Sequence, residues 1–217
     1  MAPRGDEDRS GVTDEQVIAA IGRRACPALA DTLIAVAAAW RTVDYARVDG
    51  ELDQLARPLF GVGRTGRARA GALAELITQG FRADAGGVDG LWLDDVLAAR
   101  RGHPVLLAAV ATELGRRAGW DITPCSSPTT WYAGLLDDGV LWLVEPADPA
   151  GGKGAPSMVR RHCAHEIAFV VLTGLAERFD GERDQTHARS LRERLAHFPP
   201  PEHAGDELLG PLWADGE

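Results

Sequence analysis

No stretch of this chain is long and apolar enough to span a bilayer, which takes roughly 20 such residues. The longest apolar runs, Leu33 to Trp40 and Ile167 to Leu172, end well short of that. No membrane partner is expected. The opening MAPRGDEDRSGVTDE also lacks the apolar core of a secretion signal. Cysteine is scarce: Cys26, Cys125 and Cys163 are an odd set without motif spacing. Reduced thiols in a cytoplasm are expected, with no disulfide framework, no metal and no cofactor. Basic charge is in deficit as well, 23 Lys and Arg against 32 Asp and Glu for a formal net charge of -9. Such a chain repels phosphate backbones and anionic lipid, which excludes nucleic acid as an expected partner.

What is present suits one packed domain. At 217 residues, with 45% hydrophobic and 25% charged residues, the chain has enough apolar material for a single core and too little length for two. Residues 1–11 read as a disordered lead-in. Thr13 and Gln16 form a capping-box pattern, predicting a helix to about Arg24. PALADTLIAVAAAW follows, with Pro27 suited to a first turn and Leu29, Leu33, Val36 and Trp40 at helical spacing. YARVDGELDQLARPLF and ARAGALAELITQGF read as further helices. After a Gly-rich turn at Gly86 to Gly90 come the short helix LWLDDVLAAR and the long PVLLAAVATELGRRAG, with Gly119 placed to end it.

WDITPCSS, TTWYAGLL and VLWLVEP are strand-like, and Asp138-Gly139 between the last two is a strong hairpin signal. Two helices close the reading, Ser157 to about Phe179 and Glu182 to about Phe198, separated by Asp180-Gly181. The expected fold class is α+β, a mostly helical domain with a small antiparallel sheet and a C-terminal helical hairpin. In residue ranges this is a domain over 12–150, a hairpin packed on it over 157–198 and an acidic tail over 199–217.

The stretch LDDVLAARRGHPVLLAAVATELGRRAGWDITP, with PTTWYAGLL and WLVEPADP after it, resembles the bacterial, SirB-type branch of the transglutaminase-like superfamily. The frame consists of Arg100-Arg101-Gly102, Pro104, Arg116 to Gly119, Pro128 to Trp131 and Glu145-Pro146. The resemblance implies a transglutaminase/cysteine-protease-like core followed by a tetratricopeptide-like helical tail. In active members a Cys stands at the start of the long helix, a His on one strand and an Asp on the next. A helix N-terminus favours a thiolate and offers amides to an oxyanion, and the His moves the proton.

Carried over residue by residue, the Cys position falls on Pro104, the His position on Thr130 and the Asp position on Glu145. Pro104 is usual for the SirB branch, whereas Thr130 replaces that branch's usual His. Only Glu145 keeps a titrating group of the required kind. The resemblance therefore implies a non-catalytic domain that acts in protein interaction or ligand holding. Possible protein contact falls to the C-terminal helices.

The alternative is a Cys-dependent amide hydrolase or transamidase with its nucleophile displaced to Cys125 and His103 as base. A hydrolase using Ser126, Ser127 or Thr130 has no evident base except His103. Gly61-Val62-Gly63-Arg64-Thr65-Gly66 matches the dinucleotide fingerprint, but it follows a helical segment instead of a strand, so an interhelical loop is expected. Arg64, Arg67 and Arg69 read as a solvated basic spot. His162, Cys163, His165 and Glu166 fall within two turns of one predicted helix, the histidines at a spacing of three on its wetter end, without third and fourth metal ligands. Trp213 in the acidic ending is a candidate anchor for a partner's groove.

Overall fold

The computed structural model describes Ala20 and residues 27–84, 87–147 and 158–198. The predicted helix from Thr13 to Arg24, Cys26 and Trp213 otherwise lie outside the described residues.

Seven α-helices and two small sheets are described. Helix α1 (Leu29–Ala38) starts after Pro27 and buries Leu29, Leu33 and Val36. Helix α2 (Tyr45–Ala56) is capped by Asp44, whose carboxylate accepts from Arg47 N at 3.0 Å. A 3-10 turn at Arg57–Leu59 follows, then α3 (Gly66–Gly80), capped by Thr65. Short strands β1 (Arg82–Ala83) and β2 (Arg101–Gly102) pair in parallel around α4 (Leu93–Ala99). Arg41 fastens the end of α1 to α4 through Asp94 and Asp95, at 2.6 Å each.

Helix α5 (Pro104–Arg117) is the centre of the molecule, with every residue from Val105 to Leu114 buried. Its sequence is apolar almost all round because helices cover it on several sides and the sheet covers another. Pro104 occupies the first helical position, where a missing amide costs no intrahelical bond. Gly119 takes φ 79° just beyond the helix and turns the chain back into the sheet.

The main sheet is antiparallel in the order β5-β4-β3-β6. Its strands are β3 (Ile122–Ser126), β4 (Trp131–Asp137), β5 (Val140–Val144) and β6 (Arg160–Arg161). Asp138 (φ 48°) and Gly139 (φ 78°) both lie in the left-handed region, as a two-residue primed hairpin turn requires. Alternation sorts the faces cleanly. Ile122, Ala133, Leu135 and Val144 join the main core, while Cys125, Tyr132, Leu141 and Val159 form a separate small cluster on the outer face.

Two expectations for the C-terminal helices are corrected. The segment predicted to open the first of them instead pairs with β3 as β6, Ser126 opposite Arg160 and Cys125 opposite Arg161. The free edge of β3 supplies backbone partners that no local pattern reveals. Helix α6 runs Ala164–Gly181, with Asp180-Gly181 in its last turn. The break comes later, where Arg183 (φ 63°) turns the chain and the Asp184 carboxylate caps α7 (Gln185–Leu195) through His187 N. Ile167, Leu172, Leu175 and Leu191 are buried in the same core as α1 to α5. Arg194 adds a tether, with its guanidinium 4.2 Å from the Trp40 ring centroid and Nη1 donating to Ala39 O at 3.0 Å.

Candidate functional site

The Gly115 end of α5 lies against Ile122 of β3, where an added Cβ would meet Ile122 Cδ1 at 2.9 Å. Thr130 directly precedes β4 and Glu145 directly follows β5. Extending the register in which Ala133 faces Val144 sets Glu145 level with Tyr132, two residues from Thr130. Thr130 is buried, its carbonyl accepting from Ser127 N at 2.9 Å.

Cys125 and His103 are not brought together. The Cys125 side chain is on the outer sheet face, fully buried, with Sγ 3.6 Å from Thr123 O. Burial pushes its thiol up to about 12, against a smaller opposing pull from Arg161. His103 is on the other side of the sheet, at the start of α5, where Nδ1 accepts from Val105 N at 3.3 Å and caps the helix. Burial, and secondarily the Arg178 charge, lowers its pKa. The displaced-nucleophile reading thus loses its geometry, because strand alternation turns Cys125 away from α5.

The sequence reading found no base for Ser126 except His103, but the structure supplies another. Ser126 Oγ is 2.7 Å from His162 Nε2, and Glu166 Oε2 lies 3.7 Å from Nδ1 of the same ring. The contact arises because His162 continues the β3–β6 register, its amide donating to Pro124 O at 2.8 Å, which places its side chain diagonal to Ser126 on one face. Trp131, opposite Ser126 on β4, packs its ring 5.0 Å from the imidazole. Burial, offset in part by Glu166 and reinforced by Arg160, lowers the His162 pKa to about 4. Glu166 accepts from Cys163 N at 2.9 Å and pairs with Arg160, completing a capping box at the head of α6.

The expected wet, shared face of the two histidines is corrected by this arrangement. His162 precedes the helix, while His165 is buried and meets the Phe198 ring edge-on at 6.2 Å. Among the described residues no group of three or more His, Cys, Asp or Glu side chains is placed to hold a metal ion. No described helix is long and apolar enough to cross a membrane.

The glycine-rich segment leads into α3, and its last glycine has a packing role. Gly66 N donates to Asp137 Oδ2 at 2.6 Å, and a Cβ there would meet Trp142 Cδ1 at 2.5 Å and Asp137 Cβ at 2.8 Å. Arg69 is not a solvated loop residue: it lies within α3, pairs with Asp137 Oδ1 at 3.2 Å and packs over Trp120.

A cavity of about 360 Å³ opens between the first turn of α5 and the middle of α6, lined by His103, Val105, Leu91, Phe169, Thr173 and Arg178 among others. Sequence reasoning had singled out His103 but neither Thr173 nor Arg178. The available signal was weak: Phe169, Val170, Thr173, Gly174 and Glu177 recur at helical spacing and interrupt an otherwise apolar helix with small and polar side chains.

No curated protein matches the chain. Residues 45–154 match the family profile described as the transglutaminase-like superfamily, a range that begins at α2 and includes β5. By that match over half its length, and by a central helix packed on an antiparallel sheet, the chain belongs to the transglutaminase-like superfamily.

Proposed function

We propose that this protein is a SirB-type, non-catalytic member of its superfamily, with a tetratricopeptide-like tail in α6 and α7, and that it acts by binding a ligand or protein partner. The single observation that carries this reading is Pro104 at the first position of α5. A proline there supplies neither a nucleophile nor the backbone amide that an oxyanion would need. Thr130 supplies no proton acceptor near neutral pH. Glu145 alone remains of the expected set.

Thiol reactivity tests the reading. Alkylation of each cysteine in the native protein, followed by mass spectrometry across pH 6 to 10 with Cys→Ser controls, should find no thiol with a depressed pKa. Cys125 in particular should react roughly 1,000-fold more slowly at pH 8 than a thiol of reference pKa about 8.5, given its rise to about 12. A fast-reacting cysteine whose rate titrates well below the reference would sink the proposal.

A second reading is favoured by one contact, Ser126 Oγ to His162 Nε2, which is the geometry of a hydroxyl beside its base. Against it, burial lowers the His162 pKa to about 4, which leaves a weak base, and Glu166 Oε2 stands 3.7 Å from Nδ1, too far to orient the ring by a hydrogen bond. A fluorophosphonate probe distinguishes the two. No adduct is expected, and an adduct lost in Ser126→Ala would establish serine chemistry instead.

A further inference from the structure

We infer that the cavity between α5 and α6 binds a small monocarboxylic acid with an apolar body, its carboxylate received by His103, Thr173 and Arg178. The inference rests on the reading of the protein as a ligand-holding domain, and it names the ligand class. The volume of about 360 Å³ lies within the range of small-molecule sites. Leu91, Val105, Phe169 and Val170 make its walls apolar.

Of the polar side chains that line it, His103, Thr173 and Arg178 can donate, and Glu177 is the anion among them. Helical threonines elsewhere in this protein satisfy their hydroxyls locally, Thr32, Thr78 and Thr112 each donating to the carbonyl four residues back. Thr173, in the middle of α6, does not. Its Oγ1 is buried and has no hydrogen-bond partner among the described residues, a state that ordinarily signals a missing partner. His103 supplies a second donor. Its Nδ1 is committed as the acceptor from Val105 N, so in the neutral ring the proton sits on Nε2.

Arg178 lines the same cavity and brings the positive charge, close enough to His103 to help keep that ring neutral. The N-terminus of α5, a 14-residue helix, adds its positive end to the same side. Two neutral donors and one cation around an apolar chamber match one carboxylate. Glu177 also lines the cavity and is exposed, so a second anionic group on the ligand would be repelled. This favours a monocarboxylate over a dicarboxylate.

Octanoate is the probe, titrated into the full chain while the methyl NMR signals of Leu91, Val105 and Val170 are followed. Saturable shifts are expected, with octanamide binding at least 10-fold more weakly and octylammonium not at all. Thr173→Val should weaken octanoate at least 10-fold while melting at or above the parent, since it removes a buried hydroxyl without a partner. Val170→Trp should fill the chamber and abolish the shifts.

No saturable shift, equal affinity for octylammonium, or binding undiminished in Val170→Trp would overturn the inference. Release of ammonia and octanoate from octanamide, by contrast, would leave the site standing and overturn the non-catalytic reading.

Discussion

Acidification from pH 6.5 toward 4 is expected to remove about 3 kcal/mol of folding stability through His162 alone. The ring is buried against Trp131 and Ser126, and burial lowers its pKa from 6.5 to about 4. A histidine with a depressed pKa is neutral in the folded chain while the unfolded chain takes up a proton near 6.5. Its contribution is therefore whole above pH 6.5 and drains away as the pH falls to about 4. The charged groups facing it have opposite effects, Glu166 favouring protonation and Arg160 opposing it, and desolvation outweighs both.

Glu113 has the opposite sign. Burial raises its pKa above 4.5, so the folded form takes up a proton first, and that contribution grows as the pH falls toward 4.5. Urea midpoints at pH 7, 5.5 and 4.5 for the parent and His162→Gln measure the difference. The parent should lose stability more steeply, and two parallel curves would show that His162 is not the responsible group.

Gly66→Ala is expected to destabilise the fold by about 2 kcal/mol, the cost of overpacking a closely packed junction. An added Cβ meets Trp142 Cδ1 at 2.5 Å and Asp137 Cβ at 2.8 Å, both on the β4–β5 hairpin. Accommodating it would also stretch the 2.6 Å bond from Gly66 N to Asp137 that seats α3 on the hairpin. In an ordinary exposed first turn the same change would be mildly stabilising, because alanine costs less backbone entropy than glycine. The sign of the change in thermal melting thus decides between packing and a flexible loop. Gly61→Ala, in the same motif but with open space around its Cβ position, is the control and should leave stability within about 0.5 kcal/mol.

The helical half of the chain was readable because its signals are local. Pro104 opens α5, Gly119 ends it, and Asp138-Gly139 turns the hairpin, each through a backbone preference that operates within a few residues. The motif frame from Arg100 to Pro146 likewise identified the superfamily from sequence alone. Where local and tertiary demands diverged, the reading failed. Residues 160–161 became a strand only because β3 had an edge to fill, and α6 keeps Asp180-Gly181 in its last turn, so that the chain turns at Arg183.

That Pro104 carries no nucleophile and Thr130 no imidazole follows from residue identity and required no structure. Which other groups meet did require it. Strand alternation sent Cys125 to the far face from His103, and a diagonal pairing across β3 and β6 brought His162 to Ser126 over a separation of 36 residues. The cavity lined by His103, Thr173 and Arg178 exists only because α6 docks beside the head of α5. Composition, spacing and caps act over a few residues and so determine elements and family. Contacts between distant segments depend on how those elements pack, and packing alone decided which side chains share a site.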